Sequence, residues 1–319
     1  MKEKAAPETL QEAITLFANP KKVHDFMCNV LWPDGKVKCP HCGSTEVGKF
    51  SGKRMVSNCK SCKKQFTVKI GTIFGDSPLP LSKWLPAVWL IVNAKNGISS
   101  YEIGRSLGVT QKTGWFMLHR IRLALKEGTF SKMGGSVESD ETFIGGRDRF
   151  RHKGKKHVVS GWKGKTAVQG LLERTAGGKA SRVKLKVLKT TRNHEVQGNV
   201  REYVLKGSEL HTDALRSYIG MNQDYVHQVI DHAICYAKGH VHTNGLENFW
   251  CLLKRTIKGT YVNCEPFHLF RYLDEQAFRF NERKDTDGGR FMTAIKGIVG
   301  KGLKYVDLIG KGGEDLQPA

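Results

Sequence analysis

Three acids in the second half of the chain have the spacing and surroundings to gather at one place. They are Asp140 in VESDETFIGG, Asp213 in LHTDALRSY and Glu247 in HTNGLENFWCLLKRTIKGTY, 73 and 34 residues apart. Asp140 lies in a strand-like run, Asp213 where a strand runs into a short helix, and Glu247 near the start of a helix. Three hard oxygen donors can hold two Mg²⁺ ions about 3.5–4 Å apart, an arrangement suited to displacement at a phosphodiester. Mg²⁺ keeps much of its water, so few carboxylates suffice, and Mn²⁺ can take the same place. Lys254 follows Glu247 by seven residues on the same side of the helix and can reach a phosphate. Each acid also has an ordinary reading. Asp140 can be an exposed strand acid, and Asp213 the N-cap of ALRSY. Glu247 can close a capping box on Asn244. Glu141 points to the opposite face of its strand from Asp140, whereas Glu138 shares that face and competes for the same role.

Four cysteines form a second constellation. Cys39 and Cys42 in KCPHCGS, and Cys59 and Cys62 in NCKSC, are two C-x-x-C knuckles with sixteen residues between them. Two such knuckles can converge on one Zn²⁺ with four thiolates at about 2.3 Å. That shell is closed, so the zinc would fold a small module and take no part in catalysis. A redox role would need a surrounding βαβ pattern, which is missing here. KFSGKRMVSN and QFTVKI read as the short strands of the ribbon. Cys28, Cys235, Cys251 and Cys264 stand alone and read as buried apolar residues.

Other elements must position these groups. At about 100° per residue, Leu246, Phe249, Trp250, Leu253 and Ile257 share one sector, so the Glu247 helix packs on a core with its acid on the seam. GGSVESDETFIGG, KTAVQGLLER and SRVKLKVLKT read as three successive antiparallel strands, with RTAGGKA as a turn. NHEVQGNVREYVLKG reads as a helix and DYVHQVID as a further strand. This order is that of an α/β fold of the ribonuclease-H-like kind. Upstream, LSKWLPAVWLIVNAKNG reads as a helix capped by Ser82, with Pro86 near its first turn and Gly97 at its end. Ser99 or Ser100 then starts a short helix to Leu107. Gly108 and Val109 turn the chain, and Thr110 caps a helix running to about Lys126. The pattern is a helix-turn-helix, with Gln111 and Lys112 where side chains would meet base edges.

The balance of 52 Lys and Arg against 30 Asp and Glu gives a net charge of +22, spread along the chain. Such a field attracts polyanions, and nucleic acid is the default partner. The most apolar run, 84–94, contains Pro86 and falls short of the ~20 residues that a membrane span needs. The first thirty residues lack a secretory pattern, so the expected setting is cytoplasmic, with nucleoid association and cysteines reduced or metal-bound.

In combination these segments resemble the insertion-sequence transposases of the DDE superfamily that carry an N-terminal zinc ribbon. LWPDGKVKCPHCGS, KKQFTVKIGTIFGDSPLPLSKWLPAVWLI, VESDETFIGG, LHTDALRSY, HTNGLENFWCLLKR, IKGTY and YLDEQAFRFNER carry the likeness, which runs from about residue 8 to 285. The resemblance implies Mg²⁺-dependent cleavage at element ends and strand transfer into target DNA. Asp140, Asp213 and Glu247 would be the catalytic acids and Lys254 their DNA-contacting partner, with Asn244 the alternative at the third position. It implies double-stranded DNA partners, terminal inverted repeats and target, and a homo-oligomer on DNA. The basic segment GGRDRFRHKGKKHVVSGWKGK resembles a DNA-facing loop of the family. The expected layout is an N-terminal helical segment at 1–35, a zinc ribbon at 36–75 and a helix-turn-helix region at 80–128. The catalytic domain follows at 134–285 and a C-terminal tail at 286–319. The rival readings are a non-catalytic DNA-binding descendant of such a protein, and a structure-specific nuclease of the same fold.

Overall fold

A computed structural model describes residues 6–126, 130–145, 164–175, 180–230 and 241–311. The chain divides into two compact units, Met1–Lys126 with Asp285–Ala319, and Glu127–Lys284. Among the described residues, no helix is long and apolar enough to cross a membrane.

The first unit opens with α1 (Leu10–Phe17), closed by a Thr9–Glu12 capping box, and α2 (Pro20–Leu31). The Asn19 side chain caps α2 by accepting from Lys21 and Lys22 N–H. The ribbon strands are shorter than the sequence suggests. KFSGKRMVSN contributes only β1 (Ser57–Asn58), and QFTVKI only β2 (Gln65–Phe66), paired antiparallel. The knuckles divert the backbone into turns, with Cys39 N–H on Ser44 O and Cys59 N–H on Lys64 O.

Next comes α3 (Leu81–Asn93). Its N-cap is Pro80, not Ser82, and Pro86 lies inside the helix beyond the first turn. Pro80 presets the backbone for helix entry, so no side-chain cap is needed. The proline inside is tolerated in a stretch where Trp84, Leu85, Ala87 and Val88 are all buried. α4 (Ser100–Leu107) begins with a capping box between Ser99 and Glu102. It ends at Gly108, whose φ of 59° is left-handed. Thr110 then caps α5 (Gln111–Leu125) by accepting from Thr113 N–H. The two helices touch closely at Gly114, where a Cβ would lie 2.8 Å from Ser100 O.

The second unit is built on a five-stranded mixed sheet of β3 (Ser136–Ile144), β4 (Thr166–Glu173), β5 (Arg182–Leu188), β6 (Glu209–Asp213) and β7 (Val226–Ile230). Their spatial order is β5-β4-β3-β6-β7. β3, β4 and β5 pair antiparallel, while β6 and β7 join β3 in parallel. The three antiparallel strands followed by alternating elements are as the sequence order implied. On one face α6 (Asn193–Tyr203) buries Val196 and Val200 against Val137, Leu171 and Leu210. On the other, α7 (Asn244–Thr256) and α8 (Leu269–Asn281) bury Leu246, Phe249, Trp250, Leu253 and Leu273 against Val168, Leu172 and Val183. The full predicted stripe of α7 is buried, including Ile257, which opens a π-helical turn (Ile257–Tyr261) continuing the helix. Most of the basic segment 145–165, and the turn at 176–179, lie outside the described residues.

The chain then returns to the first unit. Residues 286–319, expected as a tail, contain α9 (Asp287–Lys296) and α10 (Tyr305–Leu308). Phe291 on α9 is fully buried, with ring centres 5.5 Å from Phe17 and 5.4 Å from Trp89. Together with the buried Ala294, Ile295, Ile298 and Leu308, this ring makes the segment part of a core.

Gly114→Ala should destabilise the first unit by about 1–3 kcal/mol, because the α4–α5 contact must open to admit a methyl group. Thermal unfolding of the full chain tests this. An unchanged midpoint would mean that the contact carries no constraint.

Candidate functional site: an acid cluster on the sheet and a thiolate cluster in the ribbon

Strand register brings the first two acids together. β3 and β6 pair in parallel through Ser139 and Thr212, so the next step sets Asp140 beside Asp213. On β3, Glu138 and Asp140 face α7, while Ser139 and Glu141 face the α6 side. Asp140 is held from above, as Trp250 Nε1 donates to its Oδ2 at 2.8 Å. The backbone N–H of Glu141 also bonds this carboxylate. Burial pushes the Asp140 carboxyl up to about 6; the charges of Asp213 and Glu247 push the same way, and the Trp250 donor opposes them. Glu247 therefore shares an electrostatic neighbourhood with Asp140. Asp213 spends one oxygen on Leu215 N–H at 3.1 Å. It does not cap a helix at ALRSY, where the chain forms only a short 3₁₀ turn, Arg216–Tyr218, whose N-cap is Leu215.

The capping box that is the ordinary alternative for Asn244 and Glu247 does not form. Thr243 is the N-cap and makes no side-chain cap bond, while Asn244 is the exposed first helical residue. Glu247 gives its backbone N–H to Thr243 O and keeps its carboxylate elsewhere. The helix is capped from outside by Glu138, whose Oε2 accepts from Leu246 N–H at 2.8 Å. A carboxylate under a helix N-terminus meets both an unpaired N–H and the positive end of the dipole. Glu138 is 1% exposed and receives Arg174 Nε at 2.8 Å, and Arg174 Nη2 donates to His242 O at 2.5 Å. Gly245 permits the approach, since a Cβ there would lie 2.8 Å from Glu138 Oε2. The rival to Asp140 is thus occupied in holding α7 in place.

On the α6 side, Glu141 bonds the buried Tyr218 hydroxyl. That hydroxyl is also 2.6 Å from Ser139 Oγ, which in turn accepts from Gln169. Burial pushes Glu141 up to about 8; Tyr218 opposes this, and the Asp140 and Asp213 charges add to it. Lys254 is half-buried and borders a cleft past the end of β3.

Sequence reasoning did not single out Trp250 or Gly170 for the site. Gly170 pairs with Asp140 across β3 and β4, and a Cβ there would lie 2.7 Å from the Trp250 ring. Two signals pointed to them: a glycine inside a strand marks a close approach, and a buried indole needs an acceptor.

The four cysteine sulfurs lie within 4.8 Å of one another. Cys39–Cys62 is 3.8 Å and Cys42–Cys59 is 3.6 Å. A tetrahedron with ~2.3 Å Zn–S bonds has edges of about 3.8 Å, so the donor set fits Zn²⁺. His41 N–H and Cys62 N–H point at Cys39 and Cys59 Sγ, as thiolates require. Among the described residues no other group of His, Cys, Asp or Glu converges so closely, and the three carboxylates of the acid cluster act on one another from farther apart. The isolated cysteines are less buried than expected. Cys251 is exposed on the outer face of α7, Cys28 and Cys264 are intermediate, and Cys235 lies outside the described residues. Gln111 and Lys112 are exposed at the start of α5. Gln111 Nε2 donates to Ser100 Oγ at 2.8 Å, and Lys112 Nζ lies 5.2 Å from the Tyr305 ring centre.

Residues 132–281 match the ISXO2-like transposase domain, and residues 19–65 match the transposase zinc-ribbon domain. The chain is also 24% identical over 263 residues to a Halobacterium salinarum protein named "Uncharacterized protein in transposable element ISH50", over 76% of this chain and 84% of that one. The acid cluster falls in the first matched segment and the thiolate cluster in the second. The chain thus carries, in order, two segments that match domains of insertion-sequence transposases, a zinc ribbon and a transposase domain.

Proposed function

We propose that this protein cleaves DNA at insertion-sequence ends and joins the freed end to target DNA. The second unit would serve as a ribonuclease-H-like catalytic core and α4–α5 as a helix-turn-helix. The observation that carries this reading is the parallel β3–β6 register, which sets Asp140 beside Asp213 under the helix that bears Glu247. Two Mg²⁺ ions, with Mn²⁺ as a substitute, would supply activation of the attacking oxygen and stabilisation of the leaving one.

The chain's own residues do the rest. Asp140, Asp213 and Glu247 would hold the cations. Trp250 fixes the rotamer of Asp140, and Lys254 contacts a DNA phosphate. Water is the first nucleophile, breaking the phosphodiester at the element end and leaving a 3′-hydroxyl. That hydroxyl then attacks a target phosphodiester, forming a new P–O bond as the target strand's own 3′-oxygen leaves as a hydroxyl. Gln111 and Lys112 reach base edges once their intramolecular contacts give way. Two ends must be joined, so a homo-oligomer assembles on the DNA, in the cytoplasm and on the nucleoid. Glu247 is preferred to Asn244 at the third position, because its charge acts on Asp140 and a carboxylate is the better Mg²⁺ ligand.

Asp140→Asn should lower Mg²⁺-dependent nicking of end DNA by more than ~100-fold. The same variant should be more stable at pH 7. A folded-state value near 6 exceeds the ordinary carboxylate value, so the folded chain binds more protons between the two, and stability falls as pH rises through that window. Removing the charge should recover on the order of 1–2 kcal/mol at pH 7 and nothing near pH 3. Wild-type cleavage by this variant would sink the active-site assignment.

At the third position, Glu247→Gln should weaken Mn²⁺ binding, read by calorimetry, at least tenfold, with Asn244→Ala changing it little. The reverse pattern would reassign the ligand to Asn244. Stripping zinc with a chelator, or Cys42→Ser, should unfold the ribbon and abolish end binding, while the near-ultraviolet dichroism of the acid-bearing unit persists. Undiminished DNA binding without zinc would remove the ribbon from recognition.

A further inference from the structure

Past the end of β3 lies a cleft of about 320 Å³ in the second unit, bordered by Gly145, Lys165, Lys254, Lys258, Asn263 and Cys264. Three lysines surround it, and among the described residues no acid lines it. Among the described residues none of the three has an ion-pair partner. Like charges drawn around one concavity repel, and a fold keeps them there at a cost unless an anion enters.

The walls are built to hold this shape. Gly145 takes a φ of 152°, and a Cβ there would press on the Lys165 stem at 3.2–3.3 Å, so its absence lets Lys165 lie along the end of β3. Opposite, α7 widens into the π-helical turn Ile257–Tyr261, which carries Lys258. The turn ends at Val262, a β-branched residue at φ 62°, ψ −55°. Such backbone persists only where its surroundings hold it. The anchor is Tyr261, whose hydroxyl donates to Glu275, itself fully buried and paired with Arg279.

The cleft is separate from the acid cluster. Gly145 is five residues beyond Asp140, about 17 Å along a strand at ~3.3 Å per residue. Lys254 is seven residues beyond Glu247, about 10 Å along the helix. We propose that the cleft formed by Lys165, Lys254 and Lys258 is a second anion site that grips a backbone phosphate of the DNA strand, away from the phosphate that reacts. The proposal rests on the transposase reading for its ligand, and it assigns Lys165 and Lys258 to a task that the acids do not share.

The test uses full-length protein and an arbitrary-sequence DNA duplex, with affinity measured against salt. Each of Lys165→Gln and Lys258→Gln should flatten the slope of log K on log salt by about one and weaken binding several-fold. Lys189→Gln, an exposed lysine of the same unit outside the cleft, should leave the slope unchanged. Duplex should also slow alkylation of Cys264, read by peptide mass spectrometry, and Lys258→Glu should remove that protection. Slopes unchanged in the two cleft variants, or lowered equally by Lys189→Gln, would overturn the proposal, as would alkylation of Cys264 that duplex does not slow. These readouts need no turnover. Flattened slopes without Mg²⁺-dependent cleavage would uphold the cleft and sink the transposase reading, while unchanged slopes beside Asp140-dependent cleavage would sink the cleft alone.

Discussion

The hydrogen bond from Trp250 to Asp140 ties sheet, helix and acid cluster into one unit. An indole can stand over the central strand only because the facing residue on β4 is Gly170, which leaves the space the ring fills. The ring then serves two ends. Its carbon face joins Leu246 and Phe249 in the core, and its N–H orients a carboxylate at the rim of that core. The same contact sets where α7 sits, and so where Glu247 and Lys254 point. A shift of α7 by one residue would turn Glu247 away from Asp140, and Lys254 away from its cleft, by about 100°.

Glu138 fixes the same helix at its N-terminus. A carboxylate buried this deeply would be costly alone. Here it is compensated by Arg174, a helix N–H and the dipole. The strand motif VESDET therefore carries acids with three distinct fates. Glu138 anchors the helix, Asp140 faces it and accepts from Trp250, and Glu141 is buried against Tyr218 on the other face. Alternation along one strand, together with what stands over each face, assigns these fates to carboxylates one or two residues apart.

Much of this was legible in the sequence where a local rule decides. Ser99, Gly108 and Thr110 mark their helix boundaries because a cap or a left-handed turn acts within three or four residues. The two knuckles announce the thiolate cluster because the ligand spacing is itself local. The antiparallel succession of β3, β4 and β5 followed from alternation and turns. Long-range contacts hid the rest. Asn244 and Glu247 have the spacing of a capping box, but Glu138, more than a hundred residues away in sequence, takes the helix N–H instead. Ser82 looks like a cap, yet Pro80 enters the helix without one. Phe291 draws a supposed tail into a core through partners near the start of the chain. Trp250 reads as one more apolar residue until its N–H is asked for a partner.

The two clusters differ in what holds them together. The cysteines converge through backbone turns and N–H···S bonds, and a cation with four thiolates satisfies every donor at once. The carboxylates are placed by strand register and a packed helix, that is, by apolar contacts that do not depend on charge. Their mutual repulsion is therefore carried by the core. Burial first, and this repulsion after it, raise the carboxyl groups to about 6 at Asp140 and about 8 at Glu141. A scaffold that keeps acids close is strained in the direction that a cation relieves. The lysine cleft mirrors this with the opposite sign, since its charges are also held together by packing and backbone conformation. Strain of both signs on one α7-bearing face favours a ligand that carries phosphate and accepts metal along the same strand, which is what a nucleic-acid backbone offers.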